Sequence, residues 1–244
     1  MKLRFVGTSD AFGAGGRRQA ALFVETRAGG LLLDCAPTTG TGLAALGIAR
    51  DAIDAIAISH FHADHFAGIP QMLLAAIYED QRRHPLVIAG PRGVETRVFA
   101  AADAVGYPLA DRALPFALRF VEIGAERDAD LGPARVAAFE TRHDPASCPH
   151  GLSVHADGRR LVYSGDTGWF DGLPGHAQGA DLFVCECTFY ENPLPDHLSY
   201  RVLHEQRRHF PCERLIVTHL GSEMTDRRGR LEIETADDGM AVEV

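Results

Sequence analysis

Short apolar runs, punctuated by Gly, Pro and Asp, alternate along the chain with stretches whose apolar positions recur at helical spacing. Residues 2–6, 21–26 and 31–34 read as the opening strands, with Gly29-Gly30 turning the chain between the last two. Residues 38–46 suit a short helix and 55–59 a buried strand, and the apolar positions of 69–78 fall on one face of an amphipathic helix. A strand at 86–89 leads into Gly90-Pro91-Arg92-Gly93 and a helix ending near Val105. The second half repeats this rhythm: strands at 135–140, 152–156 and 160–164, with Asp157-Gly158 as a hairpin turn, then strands at 182–187 and 215–218 separated by a helix over about 200–209.

Two strand-turn-strand units each end in an aspartate, Asp34 and Asp166, which hints at the duplication of one half. Sheets covered by helices in two similar halves predict an α/β (α+β) fold, a four-layer αββα sandwich. It is expected to form a single domain over residues 1–244, with the seam between halves near 108–115. Neither a low-complexity segment nor a long linker interrupts the sequence.

Composition narrows the function classes. The hydrophobic fraction of 46% and charged fraction of 23% are those of an ordinary globular chain. The first residues read as a strand rather than a signal peptide, and no apolar run approaches the ~20 residues of a membrane span, so a cytoplasmic protein is expected. The five cysteines are odd in number and irregularly spaced, which argues against a disulfide framework. Cys185 and Cys187 share one face of a strand, and with no second pair to complete a zinc site they read as buried thiols. The net charge is −9, Lys2 is the only lysine and the arginines are dispersed. Neutralising a large polyanion needs clustered cations, so a large nucleic acid is disfavoured as a partner and a small substrate is favoured.

Chemistry concentrates in His60-Phe61-His62-Ala63-Asp64-His65, four metal-capable side chains in six residues directly after a predicted strand. A strand-to-helix turn frees them from strict alternation and lets them converge. Further along, His143, Asp166 and His219 each follow a predicted strand, at the strand ends where α/β scaffolds place their sites.

With these residues the chain resembles the metallo-β-lactamase superfamily over nearly its whole length, and within it ribonuclease Z and related small phosphodiesterases. The resemblance rests on Gly7-Thr8-Ser9, Leu33-Asp34-Cys35, the His-x-His-x-Asp-His cluster and Gly90-Pro91-Arg92-Gly93. It continues through His143, Ser164-Gly165-Asp166-Thr167, Glu186-Cys187-Thr188-Phe189, His197-Leu198-Ser199 and Thr218-His219. It implies two divalent metals: one held by His60, His62 and His143, the other by Asp64, His65 and His219, with Asp166 bridging. Imidazole and carboxylate suit zinc, with manganese or iron as substitutes. Two cations ~3.5–4 Å apart can share a hydroxide nucleophile. The resemblance also places His197 near the scissile phosphate, so His197 and Asp64 are the candidate catalytic residues; the plainer reading makes Ser199 the cap of the following helix. Homodimers are common among similar proteins, and the sequence locates no interface.

Other residues are weighed more plainly. Glu186 can support His197 or simply end a strand, and Asp34 is expected to orient a histidine ligand rather than bind metal. Gly13 to Gly16 reads as a turn rather than a phosphate loop, and Arg17 and Arg18 as surface arginines rather than substrate contacts. His84, His150, His155, His176, His204 and His209 are expected to be non-ligands. The helix after Ile69 and residues 169–179 are expected to shape the entrance.

Three reactions compete for this site. Hydrolysis of a small or cyclic phosphodiester is favoured by Asp64, His143, Asp166 and above all His197. Ribonuclease Z-type processing of transfer RNA normally uses a long basic arm between the equivalents of His143 and Asp166, where this chain has only 22 residues. Hydrolysis of a lactone, thioester or β-lactam uses the same nucleophile but leaves His197-Leu198-Ser199 unexplained. A redox enzyme or a degenerate binding protein on the same scaffold is disfavoured because all seven expected ligand positions are filled.

Overall fold

A computed structural model describes residues 1–125, 128–191 and 194–244. The first half runs β1 (Lys2–Gly7), β2 (Ala21–Thr26), β3 (Gly29–Leu33), α1 (Thr39–Ala45), β4 (Ile53–Ala57), α2 (Ala63–Phe66), α3 (Ile69–Tyr78), β5 (Leu86–Gly90), α4 (Val94–Ala104) and β6 (Leu118–Glu122). The second runs β7 (Ala129–Asp130), β8 (Arg135–Glu140), β9 (His150–Ala156), β10 (Arg159–Tyr163), α5 (Leu173–His176) and β11 (Leu182–Glu186). It continues with α6 (Tyr200–Gln206), β12 (Arg214–Thr218), α7 (Ser222–Thr225), β13 (Glu234–Thr235) and β14 (Ala241–Glu243).

The strands form two seven-stranded sheets, ordered β14-β1-β2-β3-β4-β5-β6 and β13-β12-β11-β10-β9-β8-β7. Their pairing repeats strand for strand. In each, an antiparallel meander (β14-β1-β2-β3, or β7-β8-β9-β10) is followed by parallel neighbours (β4-β5-β6, or β11-β12-β13). The duplication hinted at by Asp34 and Asp166 is therefore present in the topology, with each aspartate just beyond the fourth and last strand of its meander.

Alternation along the strands sorts side chains into layers. Leu22, Val24, Leu31, Leu33, Val154, Leu161, Tyr163 and Val184 meet between the sheets. The opposite face of the first sheet, carrying Phe23, Leu32, Ile56 and Ile58, packs on Ile69 and Leu73 of α3 and Val94 and Val98 of α4. Phe183, Cys185 and Val217 pack on Leu203 of α6 and Met224 of α7. This is the expected four-layer αββα arrangement, and strands buried on both faces explain why they read as nearly unbroken apolar runs. Among the described residues, no helix is long and apolar enough to cross a membrane.

The chain leaves the first sheet only after β6, so the crossing falls between Glu122 and Ala129 rather than near 108–115. Leu118–Glu122 is an edge strand with no fully buried residue, and Arg119 and Glu122 interrupt the unbroken apolar run that marks its neighbours. The helix expected over 200–209 is α6 followed by a tighter turn at Arg207–His209. Cys185 and Cys187 are buried free thiols on one face, and burial pushes both well above the ordinary thiol range.

Candidate metal centre

Every expected site residue lies beyond the end of a strand, in the loop or short helix that follows it. His60 to His65 occupy the β4–α2 turn, with His62 in extended conformation at the start of α2 so that Asp64 and His65 fall in its single turn. His143 follows β8, Asp166 follows β10, and His219 follows β12 with a positive φ of 56°. A side chain other than glycine in that conformation is strained, and strain of this kind collects at functional sites.

These residues converge on Asp166. His65 Nε2 lies 3.3 Å from Asp166 Oδ1, and the Nε2 atoms of His219, His60 and His143 lie 3.5, 3.8 and 3.9 Å from Oδ2. Asp64 Oδ2 is 3.2 Å from His65 Nε2 and 3.3 Å from His219 Nε2. His62 Nδ1 faces His143 Nε2 at 3.0 Å. Two groups result: His60, His62, His143 and Asp166, and Asp64, His65, Asp166 and His219, the donor atoms of each within 4.8 Å of one another. This is the partition expected from the sequence, with Asp166 common to both. None of the six histidines set aside as non-ligands joins a metal-capable group among the described residues.

The site also passes a test of fit. His60 Nε2, His65 Nε2 and Asp166 Oδ1 are buried without a hydrogen-bond partner. An unsatisfied buried polar atom costs ~1–3 kcal/mol, a cost that a coordinated cation removes. Burial, with the neighbouring imidazoles, holds His60 well below its ordinary value and so keeps it a neutral donor. Burial would also lower His65, but the carboxylates of Asp166, Asp64 and Asp34 override it and hold this imidazole well above its ordinary value. Burial would raise Asp166, yet His219 and His65 keep it ionised. Imidazoles around ionised carboxylates are a donor set for a borderline divalent cation, which on binding would displace the proton that the carboxylates favour on His65.

A supporting layer fixes each ring. Asp34, fully buried, accepts from the Ser59 amide (2.7 Å) at Oδ1, and at Oδ2 from the Ser59 hydroxyl (2.9 Å) and the Tyr163 hydroxyl (2.9 Å); the same Oδ2 lies 2.7 Å from His65 Nδ1. It orients a histidine, as expected. Ser59 Oγ is 3.0 Å from His60 Nδ1, Thr188 Oγ1 is 2.8 Å from His219 Nδ1, and the Asp196 carbonyl oxygen is 2.8 Å from His143 Nδ1. The sequence assigns Ser59, Tyr163 and Thr188 no role, because they reach Asp34, Asp34 and His219 across 25, 129 and 31 positions and leave no local pattern.

His197 stands beside this centre. Its Nδ1 is 2.8 Å from Oε1 of the fully buried Glu186 and 4.0 Å from Asp166 Oδ2. Burial lowers its basicity, but Glu186 outweighs this and raises it to about 9. Glu186 is in turn held by the amides of Thr167, Thr188 and Leu198. It therefore supports His197 rather than merely ending a strand. Ser199 does precede α6, but its side chain makes no cap hydrogen bond.

Two readings change. Arg17 is not a surface arginine: its side chain is 6% exposed and paired with Asp237. Arg18 lies 3.6 Å from Asp238 and donates to the Val6 carbonyl. Both tie the N-terminal loop to the C-terminal segment. Residues 14–16 form a short 3-10 turn with Gly13, Gly15 and Gly16 at positive φ. Of the segments expected at the entrance, Trp169 borders a groove that His197 also lines, whereas Ile69, Met72 and Leu73 of α3 are buried toward the first sheet.

The chain matches known proteins along most of its length. A family model described as Anti-Pycsar protein Apyc1 matches residues 1–234. Ribonuclease Z of Lachnoclostridium phytofermentans is 24% identical, over 90% of this chain and 87% of its own. The solved structure of the metallo-β-lactamase fold protein YhfI from Bacillus subtilis superposes with a TM-score of 0.78 at 20% identity, covering 99% of both chains. That of a diphosphatase from the PhnP family gives 0.81 at 16% identity, covering 100% of this chain and 97% of the other.

Proposed function

This chain belongs to the Anti-Pycsar protein Apyc1 family, and from that premise we propose that it is a phosphodiesterase of small or cyclic phosphodiesters. It has the metallo-β-lactamase fold and is a metal-dependent hydrolase of the ribonuclease Z-like branch. All 244 residues serve one catalytic domain. His60, His62 and His143 would hold one divalent cation and Asp64, His65 and His219 a second, with Asp166 available to both. Zinc suits this donor set best. Cations bound there would supply a water ionised near neutral pH and would neutralise charge on the phosphoryl oxygens.

The chain's own residues supply the rest. Glu186 accepts from Nδ1–H of His197, which fixes the ring and leaves Nε2 as the nitrogen that can hold a proton for the leaving oxygen. With hydroxide as the nucleophile, its oxygen would form the new bond to phosphorus as the bond to the leaving oxygen breaks, and the His197 proton would pass to that oxygen. Asp34, Ser59, Thr188 and the Asp196 carbonyl hold the imidazoles in place throughout.

The observation that most supports this reading is the Glu186–His197 pair, 4.0 Å from Asp166 at its nearer ring nitrogen. Acyl substrates give a second proton donor of this kind less to do. Transfer RNA processing is the second reading, favoured by the ribonuclease Z relatives. Against it, the stretch between His143 and Asp166 holds one short 3-10 turn and the β9–β10 hairpin. The deciding experiment joins elemental analysis of the purified protein to turnover of bis-p-nitrophenyl phosphate, 2′,3′-cyclic nucleotides, a precursor transfer RNA, a lactone and a β-lactam. Two metals per chain with cleavage of the small phosphodiesters alone is the expected result. Turnover of the carbonyl substrates with inert phosphodiesters would overturn the reaction and keep the site.

A further inference from the structure

His219 sits on a strained backbone, and the strain has to be held from outside. Its φ of 56° lies in the left-handed region that side chains other than glycine avoid. An unbraced loop would relax and carry the imidazole away from Asp64 and Asp166, which its Nε2 faces at 3.3 and 3.5 Å. Hydrogen bonds grip the chain on either side. Before His219, the Ala236 amide donates to the Val217 carbonyl at 2.8 Å. After it, the Leu220 amide donates to the Thr8 carbonyl at 2.8 Å, and the Asp10 amide to the Leu220 carbonyl at 3.3 Å. The two arms that hold His219 therefore belong to segments 230 positions apart at Thr8 and Asp238.

One guanidinium joins these arms. Arg17 Nε donates to Thr8 Oγ1 at 3.0 Å, Nη1 to Asp237 Oδ1 at 2.7 Å and Nη2 to the Ala236 carbonyl at 3.1 Å. Thr8 Oγ1 in turn donates to Asp238 Oδ1 at 2.7 Å, and the Arg18 amide donates to Asp238 Oδ2 at 2.9 Å. Thr8 is fully buried, and the side chains of Arg17 and Asp238 are 6% and 15% exposed. Burial protects such a cluster from screening, and the planar fork of arginine reaches several acceptors that a single ammonium group cannot span. Among the described residues, none of these three belongs to a metal-capable group, so the clasp acts on the centre only through the backbone at His219.

We infer that Arg17, Thr8 and Asp238 are positioning residues for His219. Their clasp holds the strained backbone that aims this imidazole, and so sets the affinity for the cation that Asp64, His65 and His219 would hold. The inference rests on the two-metal reading of the centre and adds determinants that lie outside it. His60, His62 and His143 follow β4 and β8 instead, so the cation they would hold is indifferent to the clasp.

The test loads the full chain with zinc, equilibrates it across a series of buffered free-zinc concentrations and counts the zinc retained by elemental analysis. Wild type is expected to retain two ions, and His219→Ala marks the one that depends on His219. Arg17→Met keeps most of the side-chain length without the charge, and Thr8→Val keeps the shape without the hydroxyl. Each is expected to need on the order of ten-fold more free zinc to fill that one position, the low end of the effect of removing a ligand's supporting group. Thr8→Ser, which restores the hydroxyl, is expected to bind as wild type does. Arg50→Met is the control for lost stability, because it removes another partly buried arginine pair, with Asp80 at 2.6 Å, at the opposite end of β4 from His60. It is expected to leave both positions unchanged. Wild-type retention in both Arg17→Met and Thr8→Val would overturn the inference, and so would an equal loss in Arg50→Met. Should wild type retain fewer than two ions, the two-metal reading falls on its own. Amide hydrogen exchange across residues 217–221 then decides the clasp without metal: faster exchange in Arg17→Met and Thr8→Val upholds it, and unchanged protection overturns it.

Discussion

At Asp166 a single buried carboxylate faces the Nε2 atoms of four imidazoles at 3.3 to 3.9 Å. Such convergence of like donors is costly unless something positive sits among them, so removing the carboxylate should be felt first in metal content. Asp166→Ala is expected to lose at least one cation by elemental analysis and to lose hydrolysis with it; full activity with two metals retained would exclude a shared ligand. His197 is held differently, by Glu186 rather than by the ligand set. His197→Ala is expected to retain its metals and to slow phosphodiester cleavage by roughly 10²–10⁴-fold, the usual range for a proton donor. Unchanged turnover in steady-state assays would remove it from the mechanism.

Loops, more than strands or helices, decide how the site is assembled. The loop after β10 and the loop before α6 approach so closely at Gly168 and Pro195 that no side chain fits between them. Gly168→Ala must push Asp166 and His197 apart, and activity is expected to fall at least ten-fold with a much smaller proportional effect on the melting temperature. A drop in stability with kcat intact would show that the contact serves the fold alone. The same distinction explains what the sequence makes legible. β2, β8 and α3 are buried elements whose apolar periodicity is complete, and their bounds can be read directly. β6, β7, β13 and β14 are edge strands, three of them two or three residues long, with too few buried positions to signal a strand. The site divides in the same way. His60 to His65 announce themselves by density, and His143, Asp166 and His219 by following strands. Tyr163 reaches Asp34 from 129 positions away, and only the packing of the two sheets brings them together.

Over the whole molecule the two sheets are equivalent, but the chain visits them unequally. The second sheet is continuous from β7 to β13, whereas the first borrows its outermost meander strand, β14, from the end of the chain. β14 buries Val242 and pairs Lys2, Leu3 and Arg4 with Glu243, Val242 and Ala241. Deleting residues 240–244 would bare β1 as an open edge, a template for intermolecular pairing. The truncated protein is expected to melt on the order of 5 °C lower by calorimetry and to aggregate more readily on heating, given ~1.5–3 kcal/mol for one buried aliphatic side chain. An unchanged melting temperature would show that β14 adds nothing to the first sheet. Closure by β14 also brings residues 1 and 244 together: the Val244 amide donates to the Met1 carbonyl at 2.9 Å. A circular permutant joined there and reopened between β6 and β7 would run β7 to β13 and then β14 to β6. Each sheet would then be one uninterrupted stretch of chain, a tandem repeat that the natural order conceals.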